Sequence, residues 1–444
     1  MSNPAPADLV IQAAHILSMD GSQAILSDHA VIIQGDTIAA IMPTNKWQTE
    51  WLTKEVIDLG QHVLMPGLIN AHTHAAMTLL RGYADDLALM EWLSDHIWPA
   101  EGRHVDEHFV QVGTDLAIAE MIRGGTTCFN DMYFYPDTVA ERAVAAGIRA
   151  NVGMIVLEMP TRWAENSAQY LEKGLKLHDE LRHQTLVRTS FAPHAPYTVE
   201  DVSLQHIQTL SDELDVQIHI HVHETADEIE QSISRFGMRP LERLAKLGLT
   251  TPRLQAVHMT QLLSEEIKFC AEQGVHVIHC PQSNMKLASG NCPVTELLEH
   301  GINVALGTDG AASNNDLDMI EETRTAALLA KSVSENPTSL PAWQALEMAT
   351  INGARAMGID DITGSIEPGK QADLIAIDMM QPRTQPLFNP VTQVAYSAAA
   401  DQVSDVWIAG KQVLQGNRHT SLDLEQILSS AEQWRQIIMS PNSN

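Results

Sequence analysis

The sequence predicts an α/β protein: a (β/α)8 TIM-like barrel with a small β-sandwich formed by the N- and C-terminal segments. From Val63 onward, eight short β-rich runs alternate with longer amphipathic helical stretches, which is the pattern of a parallel barrel. Both ends of the chain instead show short alternating strands separated by glycine-containing turns, typical of antiparallel sheets. The length of 444 residues is sufficient for one large barrel and a smaller module.

The predicted barrel strands are short apolar runs, and each is separated from the next by enough chain for a crossover helix. Stretches such as AEMIRGG and LEHGIN indicate helices that end at glycine, as helix C-caps do. The predicted strands are Val63–His74, Thr126–Tyr133, Arg149–Val156, Leu186–His194, Val216–Glu224, Leu254–Thr260, His276–Asn284 and Asn303–Asp309.

Domain boundaries follow from where this alternation starts and stops. We expect residues 1–62 to form the N-terminal part of the sandwich and residues 63–364 to form the barrel. Residues 365–444 should supply the C-terminal part of the sandwich, with a closing amphipathic helix at 420–438. The chain therefore predicts one sandwich assembled from segments that lie far apart in sequence.

Composition excludes several classes of function. With 27 Lys+Arg against 56 Asp+Glu, the formal net charge is −29, so we expect no binding to nucleic acid or to anionic membranes. The four cysteines form no CxxC pair, which argues against a disulfide framework or a thiolate zinc site. The N-terminus does not resemble a signal peptide, and no run approaches the roughly 20 apolar residues of a membrane span. We expect a soluble cytoplasmic protein.

Polar side chains concentrate at the ends of the predicted strands. The C-terminal face of a (β/α)8 barrel is where active sites are built. Residues two apart on a strand point to the same side, so His72 and His74 can reach one ion together. The residues at these ends include His72, His74, His194, His219, His221, His223, His258 and Asp309.

Imidazoles and a carboxylate without a thiolate suit zinc, with iron or manganese as alternatives. Three histidines and one aspartate would leave a position open for water, as a catalytic metal site requires. In the fifth strand, His219, His221 and His223 share one face, and only one or two of them can reach a single centre. His219 lies deeper and is expected to pack inside the barrel. Glu224 follows at once, and a carboxylate beside a metal site is the expected proton shuttle.

These motifs resemble those of the amidohydrolase superfamily over nearly the whole chain. PGLINAHTH, HVHET and GTDGAASNN resemble its signatures at strands 1, 5 and 8, and GSIEPGKQADLIAID resembles its return to the sandwich. Within it, the chain most resembles the 5-methylthioadenosine/S-adenosylhomocysteine deaminases, through RGYADDLALMEWLSDHIWPAE, FAPHAPYTV and SNMKLASG. The predicted fourth strand has no lysine, which favours a mononuclear, deaminase-like site.

The resemblance implies catalytic roles for individual residues. The expected ligands of one zinc ion per subunit, with iron or manganese as alternatives, are His72, His74, His221 and Asp309. Asp309 would also accept a proton from the attacking water, and His258 would orient that water. Glu224 would carry a proton to the ring nitrogen next to the reacting carbon.

The resemblance also implies substrate contacts. Glu101 is expected to hold the ribose hydroxyls, and His194 to contact the substrate. Trp92, with its neighbours Met90, Leu93 and Trp98, would line an apolar pocket for a 5′-thioalkyl group, although ordinary helix packing explains their spacing equally well. Met154 stands where an arginine is expected, and Arg162 would fill a second such role.

The implied activity is hydrolytic deamination of adenine nucleosides. Methylthioadenosine and S-adenosylhomocysteine would give inosine-type products and ammonia, and the enzyme would be a homodimer or a larger homo-oligomer. One alternative is an enzyme that deaminates a free base such as guanine or hydrolyses an s-triazine ring. Glu101 distinguishes a nucleoside deaminase from these alternatives, because neither a free base nor a triazine has a ribose for Glu101 to hold. Another alternative is a barrel that has lost catalysis and acts as a binding protein.

Overall fold

A computed structural model describes residues 4–440 and confirms the predicted barrel. The first three residues of the predicted N-terminal segment and the last four of the C-terminal segment lie outside the described residues. Eight parallel strands pair in chain order around the barrel. They are β1 (Leu68–Thr73), β2 (Thr126–Asp131), β3 (Arg149–Val156), β4 (Val187–Pro193), β5 (Ile218–Val222), β6 (Leu254–His258), β7 (His276–His279) and β8 (Val304–Leu306).

The barrel closes where the chain that follows β8 meets the end of β1. The backbone N–H of Asp309 donates to the carbonyl of His72 at 3.0 Å. Gly307 makes this approach possible, since a Cβ at that position would lie 2.6 Å from the backbone nitrogen of His72. Two strands that are distant in sequence are therefore held side by side at the face where the site lies.

Helices cover the outside of the barrel, and short helices also occur in the segments that connect its strands. Most of the longer ones lie between consecutive barrel strands, as crossover helices do, whereas Met319–Val333 and Leu424–Ile438 follow the last barrel strand. The α-helices are Leu89–Glu91, Trp98–His104, Glu107–Arg123, Pro136–Ala146, Ser167–Leu181, Asp201–Leu214, Ala226–Phe236, Pro240–Lys246, Ser264–Gln273, Pro281–Lys286, Val294–Glu299, Ala311–Asn314, Met319–Val333, Ala342–Met348, Ile351–Ala356, Pro390–Tyr396 and Leu424–Ile438. Shorter 3-10 turns occupy Trp47–Thr49, Ala75–Leu80, Pro382–Thr384 and Ala400–Gln402, and Trp92–Ile97 is a π-helical stretch.

The two ends of the chain share one nine-stranded sheet, as the sequence predicts. Side chains from both ends, including Ile11, Val31, Leu374 and Trp407, meet in one buried apolar cluster. The domain boundaries themselves stay predictions. The strands of this sheet are Leu9–Leu17, Ile25–Gln34, Thr37–Pro43, Val56–Asp58, His62–Pro66, Leu374–Asp378, Val403–Ile408, Lys411–Gln415 and Arg418–His419, and a separate two-stranded sheet pairs Ala5–Pro6 with Trp51–Leu52.

The predicted first strand, Val63–His74, is in fact two strands that belong to different sheets. His62–Pro66 pairs antiparallel with Leu374–Asp378 in the outer sheet, and β1 begins only at Leu68. Gly67 marks the crossing, because a Cβ there would lie 2.0 Å from the Thr127 hydroxyl oxygen. A continuous apolar run therefore concealed a change of sheet.

The predicted seventh strand, His276–Asn284, is also shorter than expected. β7 ends at His279, and a helix follows from Pro281 to Lys286. Proline at the first turn of a helix is favourable because its fixed φ suits the helix and its missing N–H would be unpaired there. This difference places the side chains of Ser283 and Asn284 on a helix at the mouth of the barrel.

Beneath the site, the barrel interior is filled by hydrogen-bonded amides and not by aliphatic side chains alone. The amide of Asn130 donates to Gln255 Oε1 at 2.7 Å, and the amide of Asn151 donates to Asn130 Oδ1 at 2.8 Å and to Ser190 Oγ at 3.0 Å. Buried polar groups are tolerated when they are paired in this way. The network joins four strands across the barrel axis.

The predicted closing helix forms as Leu424–Ile438, and it packs on the barrel. The ring of Trp434 lies 5.2 Å from that of Phe109, on the helix Glu107–Arg123. Within residues 4–440, no helix is both long enough and apolar enough to cross a membrane.

A buried ion pair joins the barrel to the outer sheet. Arg149, the first residue of β3, donates from Nε to Asp373 Oδ2 at 2.9 Å and from Nη2 to Asp373 Oδ1 at 3.1 Å. The backbone N–H of Ala409 also donates to Asp373 Oδ1, at 2.7 Å. Both charged side chains are buried, so the loss of one would leave the other without its partner.

We therefore expect Arg149→Ala to lower the free energy of unfolding by about 3–5 kcal/mol, because it leaves a buried carboxylate unpaired. Thermal denaturation followed by circular dichroism measures this as a fall in Tm. Arg182→Ala is the matched control, since Arg182 and Asp179 form an exposed pair, and such pairs contribute about 0–1 kcal/mol. Equal shifts in the two variants would contradict the prediction.

Candidate functional site

Four of the predicted metal ligands meet at the C-terminal face of the barrel. His72 ends β1, His74 follows it, His221 lies on β5, and Asp309 follows β8. Their donor atoms all lie within 4.8 Å of one another. Asp309 Oδ1 is 3.3 Å from His72 Nε2 and 3.2 Å from His74 Nε2, and His221 Nε2 is 3.1 Å from His72 Nε2. The arrangement can hold one cation between three imidazoles and a carboxylate.

Each of the three imidazoles is oriented by a contact on its other ring nitrogen. A ring whose Nδ1 is held in this way presents Nε2 to the centre, as metal-binding histidines usually do. The Nδ1 contacts are to His219 Nε2 at 2.9 Å for His72, to the carbonyl of Met132 at 2.5 Å for His74, and to the carbonyl of His194 at 2.7 Å for His221.

Asp309 is held by two serine hydroxyls and by its own backbone conformation. Its Oδ2 accepts from Ser283 Oγ at 2.6 Å and from Ser313 Oγ at 3.0 Å. Burial would raise the pKa of Asp309, but hydrogen bonds from His72 and His74 hold it well below its usual value. The residue has φ of 63°, a left-handed conformation that aspartate tolerates better than most residues. Its carboxylate is therefore charged and fixed in place.

Glu224 and His258 lie beside the four ligands. Glu224 Oε2 is 3.8 Å from His258 Nε2, and both residues are buried. His258 Nδ1 contacts Asn284 Oδ1 at 2.9 Å, which leaves Nε2 as the acceptor that faces the site. Burial raises the pKa of Glu224. A buried carboxyl group beside a metal site is a candidate for proton transfer.

A cavity of about 420 Å³ opens above these groups, a size typical of pockets for small molecules. Its floor is polar, and most of its wall is apolar. The lining includes His74, His221, Glu224, His258 and Asp309 on the floor, and Trp92, Leu93, Ile97, Trp98, Leu157, Met159 and Trp163 on the wall.

Glu101 and His194 also line this cavity. Glu101 accepts a hydrogen bond from the Tyr133 hydroxyl at 2.7 Å, and burial raises its pKa to about 7. The ring of His194 lies 5.0 Å from that of His221, and its Nδ1 is 3.0 Å from Thr198 Oγ1. Burial lowers the pKa of His194 to about 3, so this imidazole is neutral.

The two remaining predicted contacts differ in character. Trp92 is buried in the cavity wall, at the start of the π-helical stretch. Arg162 is exposed at the cavity mouth, where its guanidinium donates to the carbonyl of Arg103 at 2.6 Å.

Met154 lies away from the cavity. It is buried on β3 against Gly174 of the covering helix Ser167–Leu181. The expectation that Met154 replaces a substrate-binding arginine was therefore wrong, because its side chain faces away from the cavity.

Several residues that support the site were not foreseen from the sequence. The hydroxyls of Ser283 and Ser313, the amide of Asn284 and the phenol of Tyr133 each contact one of the predicted residues. His223, whose role the sequence left open, packs outside the cavity and accepts from the backbone N–H of Leu241 at 3.1 Å. Tyr133, Ser283 and Asn284 carried a signal, since each lies at the C-terminal end of a predicted strand.

His219 has the place that its depth in the strand predicts. It is fully buried inside the barrel, and its Nε2 lies next to the Nδ1 of His72. It thereby supports a predicted ligand without being one of the four converging residues.

Comparison with known proteins gives a consistent result. Residues 63–413 match the profile of the amidohydrolase family. The chain is 49% identical to a 5-methylthioadenosine/S-adenosylhomocysteine deaminase of Teredinibacter turnerae, over 98% of this chain and 99% of that one. It is 49% identical to a protein of the same name in Saccharophagus degradans, over 98% of each chain.

Solved structures show the same fold. A crystal structure of an adenosine deaminase from Xanthomonas campestris with bound zinc has a TM-score of 0.96 and 48% identity, and the match covers 98% of this chain and 99% of that one. An atrazine chlorohydrolase from Arthrobacter aurescens, complexed with zinc, shares the fold at 23% identity and a TM-score of 0.90, over 96% of this chain and 100% of that one. The length of the matches and their level of identity show that this chain belongs to the amidohydrolase family.

Proposed function

We propose that the protein is a metal-dependent deaminase of adenine nucleosides. It converts 5-methylthioadenosine and S-adenosylhomocysteine to the inosine-type products and releases ammonia. The observation that carries this proposal is that one cavity is lined by three members of the four-ligand cluster, by the Glu224–His258 pair and by Glu101. The relatives from Teredinibacter turnerae and Saccharophagus degradans are named for this activity, and each matches this chain over almost its whole length.

The donor set fits a zinc ion, and we propose one zinc per subunit. Three Nε2 atoms and one carboxylate oxygen converge, and the Nδ1 atoms of all three imidazoles are engaged elsewhere. Neutral imidazole and carboxylate ligands without thiolate suit zinc, and they also admit iron or manganese. A similar structure from Xanthomonas campestris contains zinc. When bound, such an ion lowers the pKa of water from about 15.7 to about 7.

The protein's own groups can perform the proton transfers of the reaction. We assign to Asp309 the acceptance of the proton from the attacking water, since its carboxylate is charged and buried. His258 would orient the water oxygen through Nε2, because its Nδ1 is engaged by Asn284. Glu224 would donate its proton to the ring nitrogen next to C6. The proton taken up by Asp309 would pass to the departing amino group, and the hydroxyl added at C6 would return a proton to Glu224 as the carbonyl forms.

Substrate recognition would divide the cavity into a polar and an apolar part. Glu101, held by the Tyr133 hydroxyl, would accept hydrogen bonds from the ribose hydroxyls. Trp92 belongs to an apolar wall that suits a 5′-thioalkyl group. Arg162 at the mouth would meet the charged end of a longer 5′ substituent, and His194 would contact the substrate as a neutral imidazole. We also propose a homodimer or a larger homo-oligomer, as the resemblance implies.

Deamination of a free base such as guanine, or hydrolysis of an s-triazine, is less well supported. The triazine enzyme and this chain share the fold at 23% identity, which carries no substrate assignment. Glu101 favours a nucleoside, because its half-buried carboxyl group lines the cavity and, beside the hydrogen bond from Tyr133, can accept others from ribose hydroxyls.

A panel of substrates tests the proposed function directly. Purified, zinc-loaded protein is offered methylthioadenosine, S-adenosylhomocysteine, adenosine and guanine, while loss of adenine absorbance and release of ammonia are followed. We expect turnover of the two thio-nucleosides, and kcat/KM for guanine at least about 100-fold lower because guanine lacks the ribose. Turnover of guanine alone would remove Glu101 as a ribose contact, and inactivity on all four would contradict the proposal.

Replacing Glu224 with glutamine should remove the proton carrier and keep the shape of the side chain. We expect kcat to fall by about 10²–10⁴-fold, the usual contribution of a general acid or base, with zinc content unchanged. Steady-state kinetics and metal analysis measure both quantities. Glu230→Gln is the matched control, since Glu230 is exposed on the following helix. Near-normal turnover by Glu224→Gln would show that another group moves the proton.

The four ligands should act as one binding site. We expect wild-type protein to hold one equivalent of zinc after dialysis. His72→Ala and Asp309→Asn should each lose it, because each substitution removes one of the four proposed direct ligands of the ion. Elemental analysis gives the stoichiometry, and a rise in Tm on adding zinc gives a second measure of binding. His206→Ala is the control on an exposed helix position. Retention of zinc by both ligand variants would place the site elsewhere.

A further inference from the structure

The turn that follows β5 carries Glu224, and it is held by a second glutamate. The backbone N–H of His223 donates to Glu228 Oε1 at 3.0 Å, and the backbone N–H of Glu224 donates to Glu228 Oε2 at 2.7 Å. His223 has φ of 56°, so the chain turns sharply here. One side chain thus binds the two consecutive N–H groups that set the direction in which Glu224 leaves the strand.

Capping of the next helix does not explain this arrangement. The helix Ala226–Phe236 has Thr225 as its N-cap, whose hydroxyl accepts from the N–H of Glu228. In a capping box the glutamate would reach back to the N–H of the cap residue. Glu228 instead passes over Thr225 and binds the two residues before it, which are not part of the helix.

Placing a carboxyl group at this buried position costs free energy. Glu228 is buried. Burial raises its pKa, whereas the hydrogen bonds from the N–H groups of Glu224 and His223 lower it and so favour the charged carboxylate. Taking a carboxylate out of water costs free energy that only paired hydrogen bonds offset. Glu228 is absent from the lining of the cavity, so it does not contact the substrate. The hydrogen bonds to the turn are what this buried side chain provides.

Thr260 holds the same turn from the opposite side. Its hydroxyl donates to the carbonyl of Glu224 at 2.6 Å, and its backbone N–H donates to the carbonyl of His223 at 2.9 Å. Thr260 follows His258 by two residues, just beyond the end of β6. The main chain of Glu224 is therefore fixed at its N–H by Glu228 and at its carbonyl by the segment that carries His258.

We propose that Glu228 is a positioning residue, which fixes the Glu224 carboxyl group for proton transfer, with Thr260 as a second support. This inference rests on the proposed role of Glu224. Glutamine in place of Glu228 presents one acceptor and one NH2 group, so it can satisfy only one of the two N–H groups of the turn. The turn should then sample other conformations, and the proton carrier should spend less time in its productive place.

The test compares Glu228→Gln with Glu230→Gln, an exposed position on the same helix. For Glu228→Gln we expect kcat for methylthioadenosine to fall about 10–100-fold, the usual effect of losing a supporting group. KM should stay within about twofold and zinc content at one equivalent, because Glu228 touches neither substrate nor ligand. Glu230→Gln should behave as wild type. A normal kcat for Glu228→Gln, with wild type active, would overturn the inference.

A double-mutant cycle distinguishes positioning from a general loss of structure. If Glu228 acts through Glu224, Glu228→Gln should change the residual rate of Glu224→Gln less than about twofold. An equal loss in both backgrounds would mean that Glu228 acts independently, and the inference would fail. Wild-type protein that is inactive on every nucleoside would overturn the proposed function instead.

Thr260 provides a second variant should Glu228→Gln fail to fold. Thr260→Val keeps the shape of the side chain and removes the hydroxyl that holds the Glu224 carbonyl. We expect a fall in kcat of about tenfold, and Thr260→Ser, which restores the hydroxyl, should recover most of it. A normal kcat for Thr260→Val, or no recovery of kcat with Thr260→Ser, would contradict the proposed support of Glu224 by Thr260.

Discussion

The site depends on the closure of the barrel between β8 and β1. Asp309 and His72 become neighbours because the N–H of the first donates to the carbonyl of the second, and Gly307 removes the Cβ that would prevent this approach. The distances from Asp309 to His72 and His74 follow from that contact, since β1 and the residue after it contribute these two imidazoles and the chain after β8 contributes the carboxylate. A cation site made of residues from both ends of the barrel also secures its closure.

A second constraint is that four ligating groups of mixed charge must be buried together. Each imidazole is held through the nitrogen that does not face the centre, and the carboxylate is held by two serine hydroxyls. His219 and the amide network beneath it continue this pattern of pairing toward the barrel interior. The four ligands are therefore fixed by polar partners of their own and not by aliphatic packing alone.

Much of this arrangement can be predicted from the sequence, because barrel strands deliver their last residues to one face. His72, His74, His221 and Asp309 are predictable as a group for that reason. The support that Ser313 gives to Asp309 is not, because Ser313 lies on a four-residue helix, Ala311–Asn314, that is too short for any periodicity to indicate. The run from Val63 to His74 was misread since two consecutive strands of different sheets are both apolar, and Met154 was misplaced because the face of a fully buried strand cannot be told from its composition.

The outer sheet has a consequence for the synthesis of the chain. His62–Pro66 leaves the ribosome early, and its antiparallel partner, Leu374–Asp378, emerges only after nearly the whole barrel has been made. Until then the N-terminal strands present an unpaired edge, which is a template for association with other chains. The long sequence separation also makes this pairing slow to form. The 444 residues carry a net charge of −29, and repulsion between like charges acts against such association.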